Sequence, residues 1–148
     1  MRIAICSDEP YPIHDELIAL VEERGHEVML FGALKLGNET PWASTAEQAA
    51  LAVVRGEADE GIFCCWTGTG ISIAANKVPG IRAALCRDSE IAEGARIWNH
   101  ANVLCLSNAR LTQPDLRTIL DAWFETDPGT RGSEGVDDLL RVESRHRT

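Results

Sequence analysis

Five short apolar runs, at residues 3–6, 27–31, 61–65, 81–85 and 102–106, recur along the chain with segments of helical period between them. Strand-length runs alternating with helices predict a parallel sheet joined by crossovers. The runs are almost continuously hydrophobic, as strands are when helices cover both faces of a sheet. Right-handed crossovers then give a doubly wound, five-stranded parallel sheet in a three-layer α/β/α domain.

Between the runs, a first helix is predicted over residues 12–24, with Ile13, Leu17, Leu20 and Val21 on one stripe and Gly25 as its stop. A second is predicted to start after Ser44 or Thr45, with Glu47 placed for a capping box, and to end at Gly56. A third opens near Gly70, a fourth covers residues 89–97, and a fifth begins at Pro114 and turns Leu116, Ile119, Leu120 and Trp123 inward. Residues 1–126 make up this domain. Residues 127–148 read as a flexible Pro/Gly connector, a short helix over 136–142 that contacts a partner copy, and a frayed charged end.

At 148 residues the chain fits a single domain that needs no disulfide staples. Its five cysteines are odd in number and lack C-x-x-C spacing, which points to reduced thiols in a cytoplasm. Cys6, Cys64, Cys86 and Cys105 lie in apolar runs and read as small buried hydrophobes. No run approaches the ~20 residues of a membrane span. A net charge of −9 argues against nucleic acid as a partner. A small-molecule enzyme or binder fits this balance.

In doubly wound sheets ligands bind beyond the carboxyl ends of the strands. Ser7-Asp8-Glu9 follows the first strand and Cys65 to Gly70 the third, while Trp98-Asn99-His100 leads into the fifth and reaches such a site only through tertiary folding. The second group is the most informative. Around Gly68, Thr69 and Gly70 a strand turns into a helix whose first N–H groups lack partners, so with the dipole's positive end they hold an anion. The same field favours a thiolate at Cys65. Thr67 suits either this site or the helix N-cap.

Residues 61–86, above all Thr67-Gly68-Thr69-Gly70-Ile71-Ser72-Ile73-Ala74-Ala75-Asn76-Lys77, resemble the ribose-5-phosphate isomerase B and galactose-6-phosphate isomerase family, and the similarity resumes at Ala101-Asn102-Val103-Leu104. Weaker likeness spans residues 1–125. The resemblance implies a Rossmann-like fold and a homodimer, which can pair into a tetramer, with active sites at the subunit interface. It also implies interconversion of an aldose and a ketose, on a small sugar or sugar phosphate, without metal or cofactor. By position, Cys65 matches the family's base, which moves a proton between C1 and C2 through an enediolate. Thr67 matches the threonine beside the substrate oxygens, and Gly68, Thr69, Gly70 and the backbone that follows, through Ser72, match its anion hole. Asp8 matches the aspartate of an Asp-His pair, Asn99 the asparagine of a His-Asn-Asp segment, and Arg110 a phosphate-binding arginine.

The departures reshape that expectation. Glu9 stands in place of a histidine and brings a negative charge that repels phosphate if it points inward; Asp8 and Glu9 are expected to meet substrate hydroxyls. Trp98 takes the place of the ring-opening histidine. His100, two residues on, either takes over that proton transfer with Asn99 or is structural. Trp66 replaces a glycine and, with Tyr11 and Trp42, forms a flat wall for a sugar face or belongs to the core. Arg131 and Arg141 are candidates to reach a partner's phosphate or are solvated charges. A four-carbon ketose is among the substrates that fit. Two rival readings are a non-catalytic sugar-phosphate-binding domain and a flavodoxin-like nucleotide module resting on Gly68 and Gly70 alone. A redox pair of Cys64 and Cys65 is disfavoured, because neighbours on a strand face opposite ways.

Overall fold

Each apolar run becomes a strand in the computed structural model, which describes residues 1–147. β1 (Arg2–Ser7), β2 (Glu27–Gly32), β3 (Glu60–Cys65), β4 (Ala83–Leu85) and β5 (Val103–Ser107) form one sheet in the order β2-β1-β3-β5-β4. Every pairing is parallel, with Cys6 opposite Phe31 and Phe63, and Cys65 opposite Ser107. The doubly wound three-layer architecture expected from the sequence is the one observed.

Alternation along the strands separates two cores. Ile3, Ile5, Ile62, Cys64, Leu104 and Leu106 point to one face, where α1 (Ile13–Glu23), α5 (Ser89–Asn99) and α6 (Gln113–Glu125) cover them. Ala4, Cys6, Phe63, Cys65, Val103 and Cys105 point to the other, under α3 (Trp42–Val54) and α4 (Thr69–Asn76). Small Ala46, Ala49 and Ala50 on α3 are fully buried, which lets that helix lie close to the strands.

Several boundaries differ from expectation. α3 starts at Trp42 rather than after Ser44, and no capping box forms: Pro41 holds the extended N-cap conformation, and the Thr45 hydroxyl pairs with that of Thr40 at 2.8 Å. The predicted fourth strand shrinks to three residues because Ile81 and Arg82 are taken up by other contacts. The Ile81 N–H closes a turn on Val78 O, and the Arg82 N–H donates to Asn102 Oδ1. One four-residue helix, α2 (Ala33–Leu36), was not expected. The C-terminal helix α7 runs over Ser133–His146, twice as long as expected, after Gly132 takes a left-handed conformation. Its connector is hydrogen-bonded rather than free, with Gly129 N–H on Asp127 Oδ1 and the Arg131 guanidinium on the carbonyls of Asp127 and Pro128.

At the amino end of β3 a polar cluster is enclosed. Glu60 accepts from Arg96 Nη1 at 2.8 Å and from Trp123 Nε1 at 3.0 Å, and the guanidinium lies 4.6 Å from the Trp123 ring. Glu60→Ala strands Arg96 with its charge mostly buried. An unfolding free energy lower by about 2–4 kcal/mol is expected in urea titrations, and a loss under 1 kcal/mol would mean that solvent already screens the pair.

Candidate active site

The chain leaves β1 toward β2 on one side and returns to β3 on the other, so the ends of β1 and β3 flank the topological switch where such sheets bind ligands. Cys65 is the last residue of β3. Its side chain is 6% exposed, and Sγ accepts the Gly68 N–H at 3.2 Å, so the sulfur faces the glycine turn. Gly68 has φ +79°, and a Cβ there would run into the Leu85 side chain and approach the Leu106 carbonyl carbon within 3.1 Å. Only glycine fits the turn. Gly70 lies under the Trp42 ring, whose nearest atom is 3.1 Å from where a Cβ would be.

Thr67 is exposed, and its hydroxyl pairs with that of Thr69 at 2.8 Å. It is not the helix cap: Gly68 holds that position, with no side-chain cap. Ser72 sits in the first turn of α4 with its hydroxyl turned to Cys105. Of the adjacent thiols, Cys64 points into the α1/α6 core and Cys65 toward α3/α4. Burial pushes the Cys6, Cys64 and Cys105 thiols well up and Cys86 up to about 12, which keeps these four protonated at neutral pH.

Beyond β1, Asp8 Oδ1 is buried without a hydrogen-bond partner. Burial, more than the neighbouring carboxylates Glu9 and Glu39, raises the Asp8 pKa. Glu9 Oε2 accepts from the Tyr11 hydroxyl at 2.7 Å, and that bond above all lifts the phenol to about 12, keeping it a donor. The Tyr11 ring packs at 5.7 Å on Trp66. Two of the three expected aromatics therefore form one wall, while Trp42 stands apart over Gly70.

The loop after β5 anchors the loop after β3. Asn108 N–H donates to Cys65 O at 2.9 Å, and Ala109 N–H and Ser107 Oγ both donate to Trp66 O at 2.9 Å. Beside it lies a cavity of about 190 Å³ lined by Thr67, Cys86, Arg87, Ser107, Arg110 and Asp115. The fold thus brings Arg110 to Thr67 and adds Arg87, which sequence reasoning missed. It also missed His14, buried on α1, and Asn108; a histidine in the apolar stripe of a helix was the available signal for the first.

Asn99 and His100 are not brought to Cys65 within one chain. His100 ends α5 in a left-handed conformation, its Nε2 2.6 Å from Arg131 O and its carbonyl accepting from Arg82 Nε. Val103 pairs with Gly61, and Cys65 lies four residues farther along at the opposite, carboxyl end of the strands, roughly 13 Å away. Trp98 is exposed there, Arg131 is occupied by its own turn, and Arg141 pairs loosely with Asp138 at 3.7 Å.

The family model for ribose/galactose isomerase matches residues 3–139. The chain belongs to that family. A ribose-5-P isomerase B of Listeria innocua is 36% identical over 99% of this chain and 100% of its own length. A D-erythrulose-4-phosphate isomerase 2 of Mycolicibacterium smegmatis is 33% identical over 87% of this chain and 82% of its own. The structure of Clostridium thermocellum ribose-5-phosphate isomerase B superposes with a TM-score of 0.89 at 36% identity, covering 99% of each chain. This member of the ribose/galactose isomerase family is therefore an aldose–ketose isomerase. That outcome overturns the rival readings of a non-catalytic or nucleotide-binding domain. Among the described residues no helix is long and apolar enough to cross a membrane.

Proposed function

We propose that this isomerase moves a proton between C1 and C2 of a short sugar phosphate, with Cys65 as the base. The observation that carries the reading is the Cys65 sulfur aimed at the Gly68 N–H, next to a buried Asp8 oxygen with no partner. Abstraction next to a carbonyl puts negative charge on oxygen. Backbone N–H groups at Gly68, Thr69 and Gly70 lie at the positive end of α4 and meet that charge, with Thr67 beside them. The thiol then returns the proton to the neighbouring carbon. Asp8 and Glu9 receive substrate hydroxyls, since an anionic phosphoryl group is repelled from two adjacent carboxylates. Arg110 and Arg87, across Thr67, take the phosphoryl group. A ligand stretched between those ends suits the four- and five-carbon sugars named for the relatives.

The working unit is a homodimer, which can pair further into a tetramer, in a reducing cytoplasm that suits five free cysteines. Asn99 and His100 serve the Cys65 of a second copy. On α7, Leu139, Leu140 and Val142 are exposed beside a cavity of about 430 Å³, and the connector and α7 contact that copy. Mixing inactive Cys65→Ser and His100→Ala chains tests the shared site. Each mixed dimer rebuilds one intact site in two, so about a quarter of full activity should return after subunit exchange. No recovery in demonstrably mixed dimers would place His100 outside the site.

A further inference from the structure

The loops beyond β1 and β5 meet at one buried imidazole. His14, on the first turn of α1, is 2% exposed. Its Nδ1 accepts the Tyr11 backbone N–H at 3.1 Å, and its Nε2 lies 2.8 Å from Asn108 Oδ1. Since a backbone N–H only donates, Nδ1 carries no proton, and the ring is the neutral tautomer that donates from Nε2. Asn108 passes the connection on. Its Nδ2 donates to Ser7 Oγ at 3.3 Å, Ser7 Oγ donates to Glu9 O at 2.6 Å, and its backbone N–H holds Cys65 O.

We propose that His14 and Asn108 are positioning residues, a neutral hydrogen-bonded clamp that fixes the Asp8–Glu9–Tyr11 loop relative to Cys65. Neither touches substrate. What the clamp sets is the place of the Tyr11–Glu9 pair, whose ring lies on Trp66, and with it the hydroxyl-binding end of the pocket. Protonation breaks the clamp, because a second N–H on the ring would face the Tyr11 N–H. The groups facing the imidazole do little to oppose this. Asp15 on α1 favours the charged ring, the Tyr11 phenol and Glu9 are already bonded to each other, and α2 presents only Ala33, Leu34 and the following Gly37. Burial outweighs Asp15 and the Asn108 bond and holds the pKa below its ordinary 6.5. The clamp is therefore intact at neutral pH and above, and the stability it adds falls away as pH drops from the ordinary value through the lower folded one.

The inference rests on the reading of Cys65 and the Asp8 loop as the substrate site, and its test separates the two. In His14→Ala and Asn108→Ala, KM is expected to rise about tenfold with kcat changed far less. In His14→Gln, which keeps a donor for Asn108, most of that rise should be reversed. Wild-type KM should climb as pH falls below the ordinary imidazole range, whereas that of His14→Gln should stay flat. Where a sugar phosphate binds without turning over, its Kd replaces KM, so the clamp is read even if the proposed chemistry fails. Nitrogen-15 NMR of labelled histidines should show His14 as the Nε2–H tautomer, titrating below the ordinary imidazole value. An Nδ1–H tautomer, or equal losses of melting temperature in all three variants with unchanged affinity, would overturn the clamp.

Discussion

Cys65→Ser is expected to abolish isomerisation, with kcat falling roughly 100- to 10,000-fold, while Cys64→Ser keeps most of the activity. The two sulfurs are adjacent in sequence and lie on opposite faces of β3. Only the second meets the Gly68 N–H and the switch-point crevice. A serine hydroxyl at position 65 accepts the same N–H but is a far weaker acid, so the donors remain and the base is lost. At position 64 the hydroxyl is buried in the α1/α6 core and lowers stability by about 1–3 kcal/mol without reaching substrate. Deuterium uptake from heavy water at the carbon next to the carbonyl reads the chemistry directly. Equal loss from both variants would sink the role assigned to Cys65.

The second large effect is expected at Gly68. Alanine there must hold a positive φ, at about 1–3 kcal/mol, and its methyl group meets the Leu85 side chain and the backbone of Leu106. Relief by moving the turn pulls the N–H donors away from the sulfur and from the place of the enediolate oxygen. Losing one preorganised donor of this kind lowers kcat 100- to 1,000-fold. Gly68→Ala should show both a lower melting temperature and such a drop. A fully active variant with only the thermal penalty would mean that the turn's N–H groups do not stabilise the transition state.

The strands and most helices were legible because apolar runs and helical period are local signals. The glycine turn was legible for the same reason: two glycines and a thiol at a strand end need no distant partner to be recognised. What escaped was set by contacts between loops. His14 drew no reading from the sequence, because its partners Tyr11 and Asn108 close around it only in the fold. Arg87 gained meaning only when the crossover set β4, two residues before it, beside β5, and Asn108 only when its loop folded over Cys65. Boundaries failed where a side chain replaced a backbone partner. Asn102 supplied the acceptor that made the fourth strand start late, and the bond between Thr45 and Thr40 took the place of a capping box.

The order of the sheet also governs how the molecule comes into being on the ribosome. β3 and β4 never pair with each other; both hydrogen-bond to β5, which is made last and slots between them. Until residue 107 has emerged, the nascent chain carries two raw strand edges with nothing to zip them, and the turn that cradles the thiol has no loop to brace it. A stall or truncation just before β5 therefore leaves an aggregation-prone intermediate rather than a smaller working enzyme.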